Sequence, residues 1–130
     1  MHKTISISTD GTIFENSMDE ISLAFLQESV GGYIEAVGVA VPVGELTESM
    51  SKRFTMWVNE EGLIYGLPVN AIASEIADTF IVGNVVITSQ TVDGDTVGLT
   101  NHDIAKIGQQ INACAQDCKM QVNFMHDYLA

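Results

Sequence analysis

Polar and apolar residues alternate through Lys3-Thr4-Ile5-Ser6-Ile7-Ser8, the period of a half-buried strand. Asp10-Gly11 supplies a tight turn, so Thr12-Ile13-Phe14 reads as the returning strand of a hairpin. Ser17-x-x-Glu20 has the form of a capping box, in which a hydroxyl and a carboxylate each satisfy an orphan backbone amide. A helix is predicted to follow, with Ile21, Ala24, Phe25, Leu26 and Val30 as its buried stripe and Gly31-Gly32 as its stop. In the next stretch Tyr33, Glu35, Val37, Val39 and Val41 share one face, and Ile34, Ala36, Gly38 and Ala40 share the other. Both faces are apolar beyond Glu35, which predicts a central strand.

Residues 42 to 52 read as a polar loop carrying Glu45 and Glu48. Arg53 to Val58 alternates again, with Phe54, Met56 and Val58 opposed to Arg53, Thr55 and Trp57. Asn59-Glu60-Glu61-Gly62 has the form of a hairpin loop, with Leu63-Ile64-Tyr65 returning as a strand. Pro68 takes the chain off the sheet, and Asn70 is a good N-cap for a short helix over Ala71 to Asp78. Thr79 to Val82 and Val85 to Thr88 read as strand, broken by Gly83-Asn84, and Asp93-Gly94-Asp95 as a turn. Thr100-x-x-Asp103 is a second capping box. After it Ile104, Ile107, Ile111, Cys114, Cys118, Val122, Met125 and Leu129 recur at steps of three and four, predicting a helix of about six turns. That stripe can close the domain's own core or pair with its copy in a homodimer, and packing on the domain is the preferred reading.

The chain of 130 residues suits one domain, 1–130. The elements add up to an α+β fold: a mostly antiparallel sheet of five to six strands with three helices, the C-terminal one long and amphipathic. No run of about 18 apolar residues offers a membrane span, and the N-terminus lacks the apolar core of a signal peptide, so cytoplasmic residence is expected. Charge narrows the partners. Five basic residues face 17 acidic ones, for a net charge of −12. Such a field repels phosphates and argues against direct nucleic-acid binding, while a basic protein surface or a divalent cation remains a natural partner.

Candidate chemistry is sparse. Cys114 and Cys118 stand one helical turn apart and could share a metal, but His102 and His126 cannot converge on them along one straight helix, so they read as small hydrophobes of the stripe. Asp93 and Asp95, with Asn84 or Asn101, lack the spacing of a calcium loop. No histidine sits beside a framed nucleophile, and no glycine-rich phosphate cradle or Walker lysine is present. The residues assign no catalytic group, no metal ligand and no cofactor. A recognition face of Tyr33, Glu35, Trp57 and Asn59 follows if their two strands are neighbours. Against that face stands a plainer reading, in which Glu35 is either near an edge in water or paired with Arg53 or Lys52 on a neighbouring strand, and Glu60 and Glu61 diverge at a hairpin tip.

Val30 to Glu35, Asn59 to Gly62 and Gly66-Leu67-Pro68-x-Asn70, joined by Ile81 to Ile87 and Gly98-Leu99-Thr100, resemble a family catalogued as domain of unknown function 3846. The resemblance covers roughly Ser17 to Thr100 and leaves residues 101–130 outside. It implies a phage or bacterial setting and no reaction. Tyr33, Glu35, Asn59, Glu60, Glu61 and Asn70 belong to its motifs and join Trp57 as candidate binding residues. The function expected is non-catalytic: an acidic, phage- or mobile-element-encoded protein engaging a basic host protein, for example as a nucleic-acid mimic in counter-defence. A small-ligand or nucleotide-sequestering protein is the alternative, and a metal-assisted hydrolase using clustered carboxylates the second.

Overall fold

The structure, a computed structural model, describes residues 1–44 and 50–126. Strands β1 (His2–Ile7) and β2 (Thr12–Met18) form the first hairpin. Helix α1 (Leu23–Val30) precedes the long pair β3 (Ile34–Pro42) and β4 (Ser51–Asn59). Helix α2 (Ala71–Ala77), β5 (Val85–Gln90), the short β6 (Thr96–Val97), helix α3 (Asn101–Asp117) and β7 (Asn123–His126) complete the order. The sheet runs β3-β4-β5-β1-β2-β7, with β6 paired to β5, and among the described residues only the β2–β7 pairing is parallel. This is the α+β fold read from the sequence, with seven strands among the described residues rather than five or six.

Register sorts the side chains into two layers. Val39 lies beside Phe54, Met56 beside Ile87, Ile5 beside Ile87, and Ile7 beside both Val85 and Ile13. These residues face one way and form the main core with Ile72, Ala73 and Ile76 of α2 and Ile107, Ile111, Cys114 and Ala115 of α3. On the opposite face Ser6, Val86, Trp57 and Ala36 stand in a row. Helix α1 lies against β4 and β5 and buries Leu26 and Val30, which are outside the main core. The sheet is therefore covered by α2 and α3 on one side and by α1 on the other.

Several expectations require correction. Ser17 does not cap a helix: it pairs with Lys3, because the first hairpin continues to His2–Met18. The cap of α1 is Ser22, whose hydroxyl accepts from the Phe25 amide, and Ala24 is exposed rather than buried. Gly31 does end α1, at φ 80. Strand β3 is not central but the edge of the sheet. Its outer face is apolar only in being small, and Ala36, Gly38 and Ala40 are exposed.

Leu63-Ile64-Tyr65 is not a strand. Tyr65 donates to the Glu61 carbonyl, Gly66 to Leu63 and Leu67 to Gly62, so local turn bonds replace a ladder. Thr79 to Val82 forms only the isolated bridge Val69–Val82. The polar groups of Ile81 are used instead by the N-terminal part of α2, where Asn70 donates to its carbonyl and Ser74 Oγ both accepts from its amide and donates to its carbonyl.

The second capping box is present, with Thr100 and Asp103 each taking the other's backbone amide. The helix it starts is shorter than the apolar stripe. Lys119 enters the left-handed region at φ 57, its amide bonds to Gln116 and that of Met120 to Ala115, and α3 stops. Val122 and Met125 belong to the following segment and β7, while Glu45, Glu48 and Leu129 lie outside the described residues. The α3 stripe of Ile107, Ile111 and Cys114 is used in the protein's own core, so it is not free to pair with a copy. No helix among the described residues is long and apolar enough to cross a membrane.

Candidate functional site

The turn leaving β4 gathers most of the candidate residues at one corner of the sheet. Asn59, the last residue of β4, is buried and acts as a bracket: its Nδ2 donates to the Val30 carbonyl at 3.1 Å and its Oδ1 accepts from the Glu61 amide at 2.8 Å. One side chain thus ties the C-terminus of α1 to the 60–66 turn. The Glu60 amide donates to Tyr33 and extends the β3–β4 ladder by one rung.

Two hollows flank this turn. One, of about 270 Å³, has Glu35, Val37, Val58, Glu60, Leu63 and Phe80 in its lining, on the α2 side. The other, also about 270 Å³, is lined by Gln27, Gly31, Gly32, Tyr33, Glu61 and Tyr65, on the α1 side. Their linings include strongly exposed apolar side chains, Tyr33 66%, Leu63 71%, Tyr65 65% and Phe80 61%, and Ile64, 79% exposed, sits between Leu63 and Tyr65 in the same turn. Scattered single apolar residues are normal on a surface, whereas several exposed together at one corner call for an explanation. Carboxylates of Glu28, Glu35, Glu60 and Asp78 are exposed around it.

No lysine or arginine lines either hollow. Lys3, Lys52 and Lys106 lie at the opposite end of the sheet, around the start of α3. There Lys3 donates to Asn101, Lys52 to Asp103 at 3.1 Å, and Lys106 to the Gly44 carbonyl. Arg53 folds its guanidinium over Gly38.

Of the seven candidates, five therefore converge: Tyr33, Glu35, Asn59, Glu60 and Glu61. They do not form the single face expected. Glu35 stands opposite Val58, while Ala36 stands opposite Trp57 and Ile34 opposite Asn59, so Glu35 and Trp57 lie on opposite faces of the sheet. Trp57 is half-buried and donates its Nε1 hydrogen to Thr88 Oγ1 at 2.9 Å. Glu35 is not paired with Lys52 or Arg53, which stand opposite Val41 and Ala40 at the far end of β3. Asn70 is structural: buried, it caps α2 through the Ala73 amide and donates to the carbonyls of Ile7 and Gly83. Sequence reasoning missed Leu63, Ile64, Tyr65 and Phe80 by reading them as strands. The signal available was the bracket of Gly62, Gly66 and Pro68, too dense in turn residues for a return strand.

Elsewhere the two cysteines have different surroundings, Cys114 buried and Cys118 half-buried. Cys118 Sγ donates to Glu75 Oε2 at 3.0 Å, and that carboxylate, with some burial, pushes the thiol pKa up to about 11. Burial raises Cys114 as well, helped by the nearby negative charge of Glu75. Among the described residues no group of three or more His, Cys, Asp or Glu could hold a metal ion. Asn84 accepts from the Thr9 amide and Asn101 from Lys3, away from the exposed Asp93 and Asp95.

A larger cavity, of about 360 Å³, opens between α3 and the β1–β2–β7 side of the sheet. Its lining includes Ile5, Ile13, Ile104, Phe124 and Met125, with Glu15, Gln109 and Asn112 as polar members.

A family model described as "Domain of unknown function (DUF3846)" matches residues 3–112. The match is wider than the stretch from Ser17 to Thr100 and takes in β1 and the first two-thirds of α3. No curated protein and no solved structure matches the chain.

Proposed function

The chain belongs to the DUF3846 family, whose description carries no activity, and from the site alone we propose that it is a non-catalytic acidic binding protein that engages a basic protein surface. The observation that carries this reading is the corner where Tyr33, Leu63, Ile64, Tyr65 and Phe80 stand exposed amid carboxylates. Aromatic anchors enclosed by a charged rim are the composition of a protein-binding hot spot. The net charge of −12 selects a basic partner and speeds its encounter. In the phage or mobile-element setting that partner is a host protein met in the cytoplasm, and a nucleic-acid-binding surface mimicked by acid is the form the charge favours.

The test is capture from host lysate at low and at high salt, with wild type beside Tyr33→Ala/Tyr65→Ala. A basic protein held at low salt, released by salt and lost in the double variant is the expected result. Capture unaffected by the variant would move the site elsewhere, and an empty capture would remove the reading.

A second reading rests on the 360 Å³ cavity, whose apolar walls and few polar groups suit a small, mostly apolar ligand. A thermal-shift screen of metabolites and nucleotides tests it, since a ligand at 100-fold over Kd adds about 2.7 kcal/mol of stability. The metal-assisted hydrolase lacks a comparable cluster among the described residues.

A further inference from the structure

Among the described residues strand β3 ends the sheet order and pairs only with β4. The backbone bonds at its two ends reveal which groups are left over. Glu60 donates to Tyr33, and the Val43 amide donates to Met50. Both pairs obey the β3–β4 register, and in an antiparallel ladder the bonded positions alternate. The odd residues Glu35, Val37, Val39 and Val41 therefore bond to β4. The amides and carbonyls of Ile34, Ala36, Gly38 and Ala40 point to the open edge.

Edges of this kind are normally blunted by lysines, bulges, inward charges or a covering loop. Among the described residues β3 carries no lysine, bulge or covering loop along its middle, and the charge that reaches it is the Arg53 guanidinium of β4, folded over Gly38. The strand's register with β4 is unbroken over nine residues, its one charged residue is Glu35 near the start, and Pro42 stands at the finish. Ala36, Gly38 and Ala40 are small and exposed.

We infer that this edge pairs, antiparallel and about a two-fold axis at Gly38, with β3 of a second copy of the chain. The strand is self-complementary in that arrangement. Ala36 meets Ala40 of the copy and Gly38 meets Gly38, so all the outward amides and carbonyls of the central rungs exchange bonds. Pro42, which has no amide, falls on the outermost rung opposite Ile34, where its loss costs least. Val37 meets Val39 on the other face. Glu35 lies beside Val41 of the copy, next to Lys52, the residue paired with Val41 in β4. The two Glu35 carboxylates are held at opposite ends of the junction, each near a Lys52 of the other copy, while the two Arg53 guanidiniums, each folded over its own Gly38, have to swing outward at the axis.

Sedimentation velocity over a concentration series tests the inference on the purified chain. The expected result is a reversible dimer that strengthens as salt screens the repulsion between two acidic copies. Ala36→Pro removes an edge amide without touching the β4 ladder, and it should be monomeric with an unchanged circular dichroism spectrum. A wild type that stays monomeric throughout, or a folded Ala36→Pro that still dimerises, overturns the proposal. Cross-linking fixes the register even if the proline variant fails to fold. Gly38→Cys should give an oxidised dimer that wild type does not. Ala36→Cys should not, because its own copy lies several residues away, beyond disulfide reach. Equal cross-linking of both, or of neither, overturns the two-fold at Gly38.

Discussion

A single carboxylate governs the chemistry of the half-buried cysteine. The Cys118 thiol has an ordinary pKa of 9.0 and is pushed to about 11 chiefly by donating to Glu75. The thiolate is the reactive form, so Cys118 should alkylate slowly at pH 8 despite its partial exposure. Glu75→Ala should raise its iodoacetamide rate about tenfold, at one pKa unit per tenfold of thiolate. An unchanged rate would show that the bond does not control the thiol. The sign of the linkage is also fixed. The folded pKa is raised, so the stabilisation is complete below pH 9 and is lost as pH climbs toward 11. Asn70 belongs to the same scale. Its side chain joins β1, the residues before β5 and the start of α2 with no exposed surface to substitute for the bonds. Asn70→Ala should cost about 2–4 kcal/mol in urea denaturation, one cap plus two buried carbonyls left without a donor. A loss below 1 kcal/mol would mean that water replaces the amide.

Helix ends decide what the elements became. α3 closes with the paired bonds of a Schellman motif, yet a lysine occupies the left-handed position that glycine usually takes. Lys119→Gly should therefore stabilise the protein by about 0.5–1 kcal/mol, read as a higher Tm, and a lower Tm would show that the lysine side chain contributes more than its backbone costs. The same lysine explains why the sequence overran the helix. Apolar steps of three and four continue through Val122 and Met125, and nothing in the composition marks the stop. Ser17-x-x-Glu20 misled in the opposite sense: its residues fit a cap, but pairing across the first hairpin outweighs a local signal. Where cap and pattern agreed, at Asn70, at Gly31 and at Thr100 with Asp103, the sequence was sufficient.

For the whole molecule, the layered α+β arrangement was legible because both core faces alternate cleanly, while the place of β3 was not. Small apolar residues look alike whether a helix covers them or solvent does. The candidate corner was legible in part. Its motif residues were singled out, but their division between two sides of the sheet depends on β3–β4 register, which periodicity alone does not reveal. Salt should act with opposite signs on the two associations proposed, loosening a basic partner and tightening the self-pair. That contrast separates them in one titration.

The segregation of charge has a further consequence. Carboxylates crowd the corner after β4, while three of the lysines are held at the start of α3. For the basic partner proposed above, the lysine-free corner is the side that its field favours. In such a field the proposed complex would form with the aromatic corner leading. Fewer collisions would then be wasted on wrong orientations, a kinetic gain made before any contact has formed.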